Sequence, residues 1–203
     1  MPKIVDHDAR RNEISAVAVS LIAKGGMDAA TIRQIAQASG YSKGVVEHYF
    51  ENKEDLISGA LDSINARYEY RVKKTTAGLE GMEALRKRLR ATLPLNKTIR
   101  DEWKVRLVFW SMAAIREELR KAQEQRFERA ADAFEQDIES AVRIGQLRIY
   151  RSSAELARHL FTGVAGLSVV ALHSRNRYSK RFLLDEIETM IAGLGDQCVE
   201  KPI

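Results

Sequence analysis

The sequence predicts an all-α fold, with a small three-helix head followed by a helical body, about nine helices in total. Three observations carry that reading. Apolar residues recur at three- and four-residue spacing along most of the chain, and no stretch alternates apolar with polar residues as a half-buried strand does. Proline stands only at positions 2, 94 and 202, which leaves long stretches open to helix. An apolar content of 45% with 30% charge suits a soluble chain of 203 residues that buries a sizeable core.

Ile14, Val17, Ala18, Leu21 and Ile22 follow helical spacing, and Gly25-Gly26 stops that first helix. Thr31 opens a short helix, with Gln34 three residues on to complete a capping box. Ile35 and Ala36 supply its inward face, and Gly40 can take the left-handed conformation that ends it. Ser42 can cap a third helix two residues later, and Asn52, with Asp55 beyond it, a fourth. Leu56, Ile57, Ala60, Leu61 and Ile64 draw the stripe of that fourth helix, and Met82, Leu85 and Leu89 that of the fifth, ended by Pro94. Next, Trp103, Leu107, Trp110 and Ala114 share one face while Val105, Val108, Phe109 and Met112 cover most of the rest, so this helix belongs at the centre of the body. Phe127, Ala130, Ala131, Phe134, Ile138 and Val142 mark a long amphipathic helix, and residues 153–174 and 179–193 supply the last two. The chain divides into a head, residues 1–55, and a body, residues 56–203.

Composition excludes several functions. The longest mostly apolar run, Gly163 to Leu172, has about half the length of a bilayer-spanning helix, and the start of the chain around Asp6 and Asp8 is no secretory signal. A cytoplasmic protein without membrane contact is expected. The lone Cys198 excludes an intramolecular disulfide or a Cys-based zinc site, and in a tail position it is an incidental thiol. His159 and His173 are separated by about 21 Å of helix, too far to share an ion. No catalytic constellation or phosphate loop is present, so neither enzyme activity nor a cofactor or metal is expected. Net charge is +5, but residues 1–56 hold 7 Lys and Arg against 8 Asp and Glu, so bulk charge does not mark the head as a polyanion site. The basic cluster Arg86, Lys87, Arg88 and Arg90 reads as a solvated helix face.

The head carries the function. Two short helices joined by a Gly-containing turn make a helix-turn-helix unit. With Val46 and Phe50 inward, Lys43, Gly44, Glu47 and His48 face out, the arrangement that enters a DNA major groove.

Residues 31–56 read TIRQIAQASGYSKGVVEHYFENKEDL. They resemble the TetR family signature: a helix opening with Thr, then Ile-Ala-x-x-x-Gly-Val-Ser-x-Gly, an aromatic/His-Phe pair and a Lys-Glu. The chain has Ile35-Ala36, Gly40-Tyr41-Ser42-Lys43-Gly44, His48-Tyr49-Phe50 and Lys53-Glu54 at that spacing. The resemblance implies DNA contacts. Thr31 and Arg33 would approach phosphate and base edges; Tyr41, Ser42, Lys43, Gly44 and Val45 would lie at the groove, with Lys43, Gly44 and Val45 facing bases. His48, Tyr49 and Lys53 would bind backbone, Lys53 aided by the positive end of its helix. Glu47 departs from the family, which usually has Tyr there. A carboxylate does not bind phosphate, though it can accept from a cytosine amino group.

His48-Tyr49-Phe50 with Glu102-Trp103, Leu107 and Phe109-Trp110 is similar to the BetI-type branch. That resemblance implies a body that senses a small-molecule effector. Trp103, Leu107, Phe109 and Trp110 would wall the pocket, with Phe134 and Phe161 opposite, Gly163, Ala165 and Gly166 leaving room, and Arg106, His159 or Tyr150 supplying polar groups. Aromatics at this spacing also suit plain core. A cationic ligand would be held on the Trp faces, an anionic one by Arg106, which suits a surface salt bridge equally. Phe161, Val164, Leu167, Phe182, Ile187 and Met190 exceed what one body buries, so a homodimer seamed along the last two helices is expected. The expected function is repression at a pseudo-palindromic double-stranded operator, relieved by the effector. The alternative is a ligand-independent activator or architectural protein, which a body without a cavity would favour.

Overall fold

The computed structural model describes residues 7–197. Cys198 and the acidic start around Asp6 lie outside them. The described residues form nine α-helices and one two-residue ladder. The head comprises α1 (His7–Gly25), α2 (Ile32–Ser39) and α3 (Lys43–Tyr49), and a single 3₁₀ turn, Met27–Ala29, links the first two. The body comprises α4 (Lys53–Thr76), α5 (Gly81–Thr92), α6 (Lys97–Ala113), α7 (Glu117–Arg143), α8 (Ser153–His173) and α9 (Lys180–Ala192). The strands β1 (Leu147–Arg148) and β2 (Asp196–Gln197) pair antiparallel, Leu147 opposite Gln197, and close the end of the chain against the α7–α8 connection.

Local chemistry starts these helices where the sequence places the caps. The Thr31 hydroxyl accepts from the Gln34 amide while Gln34 reaches back to the Thr31 amide, and Ser42 and Asn52 accept from Val45 and Asp55. Each such cap contributes about 1 kcal/mol and fixes the entry angle of its helix. Gly40 ends α2 at φ 75°, a conformation that a side chain resists, so the chain reverses into α3 within two residues.

Two main clusters are buried. In the head, Ile14, Ala18 and Ile22 of α1 meet Ile35, Val46 and Phe50, and the cluster is completed by Leu56, Ile57, Ala60 and Ile64 of α4 with Val105, Phe109 and Ala113 of α6. The 55/56 division therefore falls in the first turn of a helix that serves both parts. In the body, Leu85 and Leu89, Phe134 and Ile138, Leu156 and Leu160, and Ile187 pack α5, α7, α8 and α9 together. The helix α8 is 21 residues long and, by length and composition alone, apolar enough to cross a bilayer; here Leu156, Leu160, Val164 and Ala171 on it are body core.

The basic cluster on α5 is a brace rather than a solvated face. Arg88 forks onto the buried Asp137 of α7 at 2.6 and 3.2 Å, while Arg86 and Arg90 both clamp Glu188 of α9. Partners 49 to 102 residues away in sequence explain why helical spacing alone does not reveal the role.

Candidate functional site

The head presents one face to solvent. Thr31, Arg33, Ser42, Lys43, Gly44, Glu47, His48 and Lys53 are all exposed, while Tyr41, Val45 and Tyr49 are half-buried between that face and the head core. A Cβ built on Gly44 meets nothing within 4 Å, so a duplex could approach the backbone of α3 closely there. Lys43 is held by Glu47 one turn away at 3.0 Å, and Lys53 by Asp28 at 3.5 Å. The unusual Glu47 thus neutralises, in the free protein, a lysine that would face bases.

The aromatics are set by α1. The Tyr41 hydroxyl donates to Glu13, which raises its pKa above the ordinary phenol value, and Arg10 lies 5.3 Å over the ring. Tyr49 shares a 3.2 Å hydrogen bond with His7 and stacks edge-on against His48. Arg11 spans the same region, bonding the Tyr49 carbonyl and Asp55 while covering the Phe50 ring at 4.4 Å. A rigid α1–α3–α4 junction results.

The body encloses a cavity of about 520 Å³ between α4, α5, α6, α7 and α8. Of the residues expected there, Trp103, Arg106, Trp110, Phe134 and Phe161 line it. The rings Trp103, Trp110, Phe127 and Phe161 form a chain of contacts with centroids 5.2–5.6 Å apart, the first two junctions edge-to-face. The indole of Trp103 also donates to the Thr92 carbonyl at 2.7 Å. The stripe is both core and cavity wall.

The other expectations for this wall are corrected. Phe109 points away from Trp110, as adjacent helical residues must, and is fully buried in the head cluster. Leu107 is half-buried but not part of the wall, and His159 is exposed on α8. Tyr150 is outside and donates to Asp196. Of the small residues on α8 only Ala165 reaches the cavity; Gly163 meets Met190 of α9, and Gly166 is exposed.

Most of the wall was not anticipated. From α4 come Leu61, Asn65, Tyr68, Val72 and Thr76, and from α7 come Gln123, Arg126, Phe127 and Ala130. The α4 set recurs at three- and four-residue steps, a second stripe that was available in the sequence.

Arg106 is the dominant charge. Its guanidinium lies 5.4 Å from the Trp103 ring centroid and, among the described residues, has no hydrogen bond or ion pair. It is half-buried and lines the cavity. Burial pushes its pKa down to about 10, opposed by Glu102 and reinforced by Arg71 and Arg67. Both Glu102 oxygens are already taken by Arg71 at 2.9 and 3.3 Å, which leaves no ion pair for Arg106. Arg88 and Arg126, also on the wall, have Asp137 and Asp62. The carbonyl oxygen of the buried Gln123 side chain and Nη1 of Arg126 lack partners.

Comparison with known proteins decides what this combination of head and body is. Residues 14–60 match the family described as bacterial regulatory proteins, tetR family. Residues 81–196, more than half of the chain, match the BetI-type transcriptional repressor C-terminal family. The chain belongs to the tetR family, with a BetI-type body. Among relatives, the HTH-type transcriptional regulator BetI 1 of Chromohalobacter salexigens is 31% identical over 130 residues, 61% of this chain and 62% of that protein. The regulator PksA of Bacillus subtilis is 34% identical over 73 residues, 36% of each chain. The matches thus span less than two thirds of these curated relatives. Two crystal structures share the fold at 22% identity: a transcriptional regulator from Rhodococcus sp. Rha1, with TM-score 0.79 over 91% of this chain and 95% of that one, and a regulator from Saccharomonospora viridis in complex with choline, with TM-score 0.78 over 91% and 96%. In this tetR-family chain, α2 and α3 are the helix-turn-helix, and the cavity is walled by α5 to α8 of the BetI-type body together with α4, which precedes it.

Proposed function

We propose that this chain is a cytoplasmic, non-enzymatic repressor that binds a pseudo-palindromic DNA operator as a homodimer and is released by a small molecule held in the body cavity. The observation that carries it is the double duty of α4 and α6. Leu61 and Tyr68 of α4 and Trp103, Arg106 and Trp110 of α6 line the cavity, while Ile57, Ala60, Val105 and Phe109 of the same two helices are head core. A ligand that moves either helix must therefore move the head. Packed cores shift as units rather than deforming smoothly.

Two recognition helices must be presented about 34 Å apart, or a multiple of that, to read successive major grooves. A ligand that binds the other spacing better shifts the population away from DNA. The dimer seam is assigned to α8 and α9. Val164, Leu167 and Ile187, which the sequence left uncovered, are buried within the single chain, so the apolar surface available is smaller than expected. What remains outside is Val170 at 40% and Phe182 at 37% exposure beside Gly166, with Phe161 and Met190 half-buried. A cavity of this size does not suit the ligand-independent alternative.

The test measures affinity for a selected duplex by fluorescence anisotropy, with light scattering for assembly. A dimer whose affinity falls steeply with salt and which releases the duplex when the cavity is filled is expected. A monomer at micromolar concentration, or DNA affinity indifferent to cavity occupancy, contradicts the reading.

A further inference from the structure

The cavity is built for one sign of charge. Its wall carries Lys73, Arg88, Arg106, Arg126 and Arg129 against a single carboxylate, Glu69. Glu69, Lys73 and Arg129 are exposed at the mouth, and Arg88 and Arg126 have acidic partners, so the unanswered charge inside is Arg106. A cation is poorly served here. The face of Trp103 that would receive it already lies against the Arg106 guanidinium at 5.4 Å, and the neighbouring rings meet edge-to-face in contact with one another. A buried cation without a partner is costly unless something completes it.

Resting on the ligand-released reading above, we propose that the effector is an organic anion: one acidic head on an apolar, ring-sized body. The head takes the open donors of Arg106, a fork that suits a carboxylate or sulfonate bidentately. The body lies along Trp110, Phe127 and Phe161. The seated choline of the Saccharomonospora neighbour belongs to that protein; the open guanidinium here selects the opposite charge.

The experiment compares two dyes that differ only in the acidic group. 8-Anilinonaphthalene-1-sulfonate and its uncharged counterpart N-phenyl-1-naphthylamine are titrated by fluorescence into the full chain, into Arg106→Gln and Arg106→Lys, and into Trp110→Ala. The wild type is expected to bind the anionic dye at least tenfold more tightly than the neutral one. Arg106→Gln erases that preference, Arg106→Lys keeps most of it, and Trp110→Ala weakens both dyes. Binding of the neutral dye to Arg106→Gln within a few-fold of wild type shows that the variant cavity is intact. Equal affinity for the two dyes, a preference that survives Arg106→Gln, or displacement of the neutral dye by choline at lower concentration than by benzoate overturns the anion while leaving the cavity reading in place. If neither dye enters the wild type, the ligand-released reading falls, and the anion with it.

Discussion

Replacing Arg106 by Leu should stabilise the empty protein, although an arginine with an ion partner would behave in the opposite way. The guanidinium is pushed down to about 10 from the ordinary arginine value, chiefly by burial. Because the pKa of this base is lowered, the folded state pays for the charge at every pH below about 10, and the penalty is relieved only as pH rises from there towards the ordinary arginine value. At ~1.4 kcal/mol per tenfold, the net penalty, burial less the attraction of Glu102, is about 3 kcal/mol. Losing the contact of the stem with Trp103 returns part of that, about 1 kcal/mol by area. Glu102 keeps both hydrogen bonds to Arg71, so no carboxylate is stranded. The net expectation is a gain of about 1–2 kcal/mol at pH 7, which at ~2 kcal/mol/M moves the urea midpoint up by ~0.5–1 M. Equilibrium unfolding at fixed protein concentration measures it. A loss of more than ~1 kcal/mol would mean that Arg106 is already satisfied in the empty protein, in line with the usual cost of breaking a buried pair, and the cavity argument would collapse.

Three further outcomes test the head. Gly59→Ala puts a Cβ 2.7 Å from the Phe50 ring and 3.2 Å from Ser15 Oγ; the clash, about 1–3 kcal/mol, exceeds the ~1 kcal/mol of helix propensity gained, so the melting temperature and duplex affinity should both drop, and an unchanged melt would remove the case for a tight α1–α3–α4 junction. Glu47→Gln frees Lys43 from its 3.0 Å pair and removes a carboxylate from the reading face; the exposed pair is worth little to stability, but affinity for unrelated duplexes should rise and the salt slope steepen by about one. Lys53→Ala should weaken binding to every sequence and flatten the slope by about one; a loss confined to one sequence would place Lys53 at a base instead of the backbone.

What was legible in the sequence is what local chemistry decides. Thr31 with Gln34, Ser42, and Asn52 with Asp55 act within one turn, so the three caps and the Gly40 reversal could be read from spacing alone. The exposed face of α3 followed from Val46 and Phe50 turning inward. The body was harder because α6 is apolar on most sides. Phe109 and Trp110 are adjacent and equally apolar, yet one serves the head core and the other the cavity, and only the positions of α1 and α7 decide which. The pairs Arg88–Asp137 and Arg71–Glu102 join residues 49 and 31 apart, beyond any helical period. The Leu147–Gln197 ladder is too short to leave an alternating pattern.

The central claim, that α2 and α3 read a specific duplex, is tested most directly by letting the purified protein select from a random pool of double-stranded DNA. The account predicts an enriched pseudo-palindrome whose half-sites lie one helical turn apart or a multiple of it. It also predicts that Lys43→Ala changes the preferred bases within each half-site, since Lys43 and the open backbone at Gly44 occupy the centre of the exposed face. A pool that shows no enriched sequence after repeated rounds, or enrichment that Lys43→Ala leaves unaltered, would contradict it.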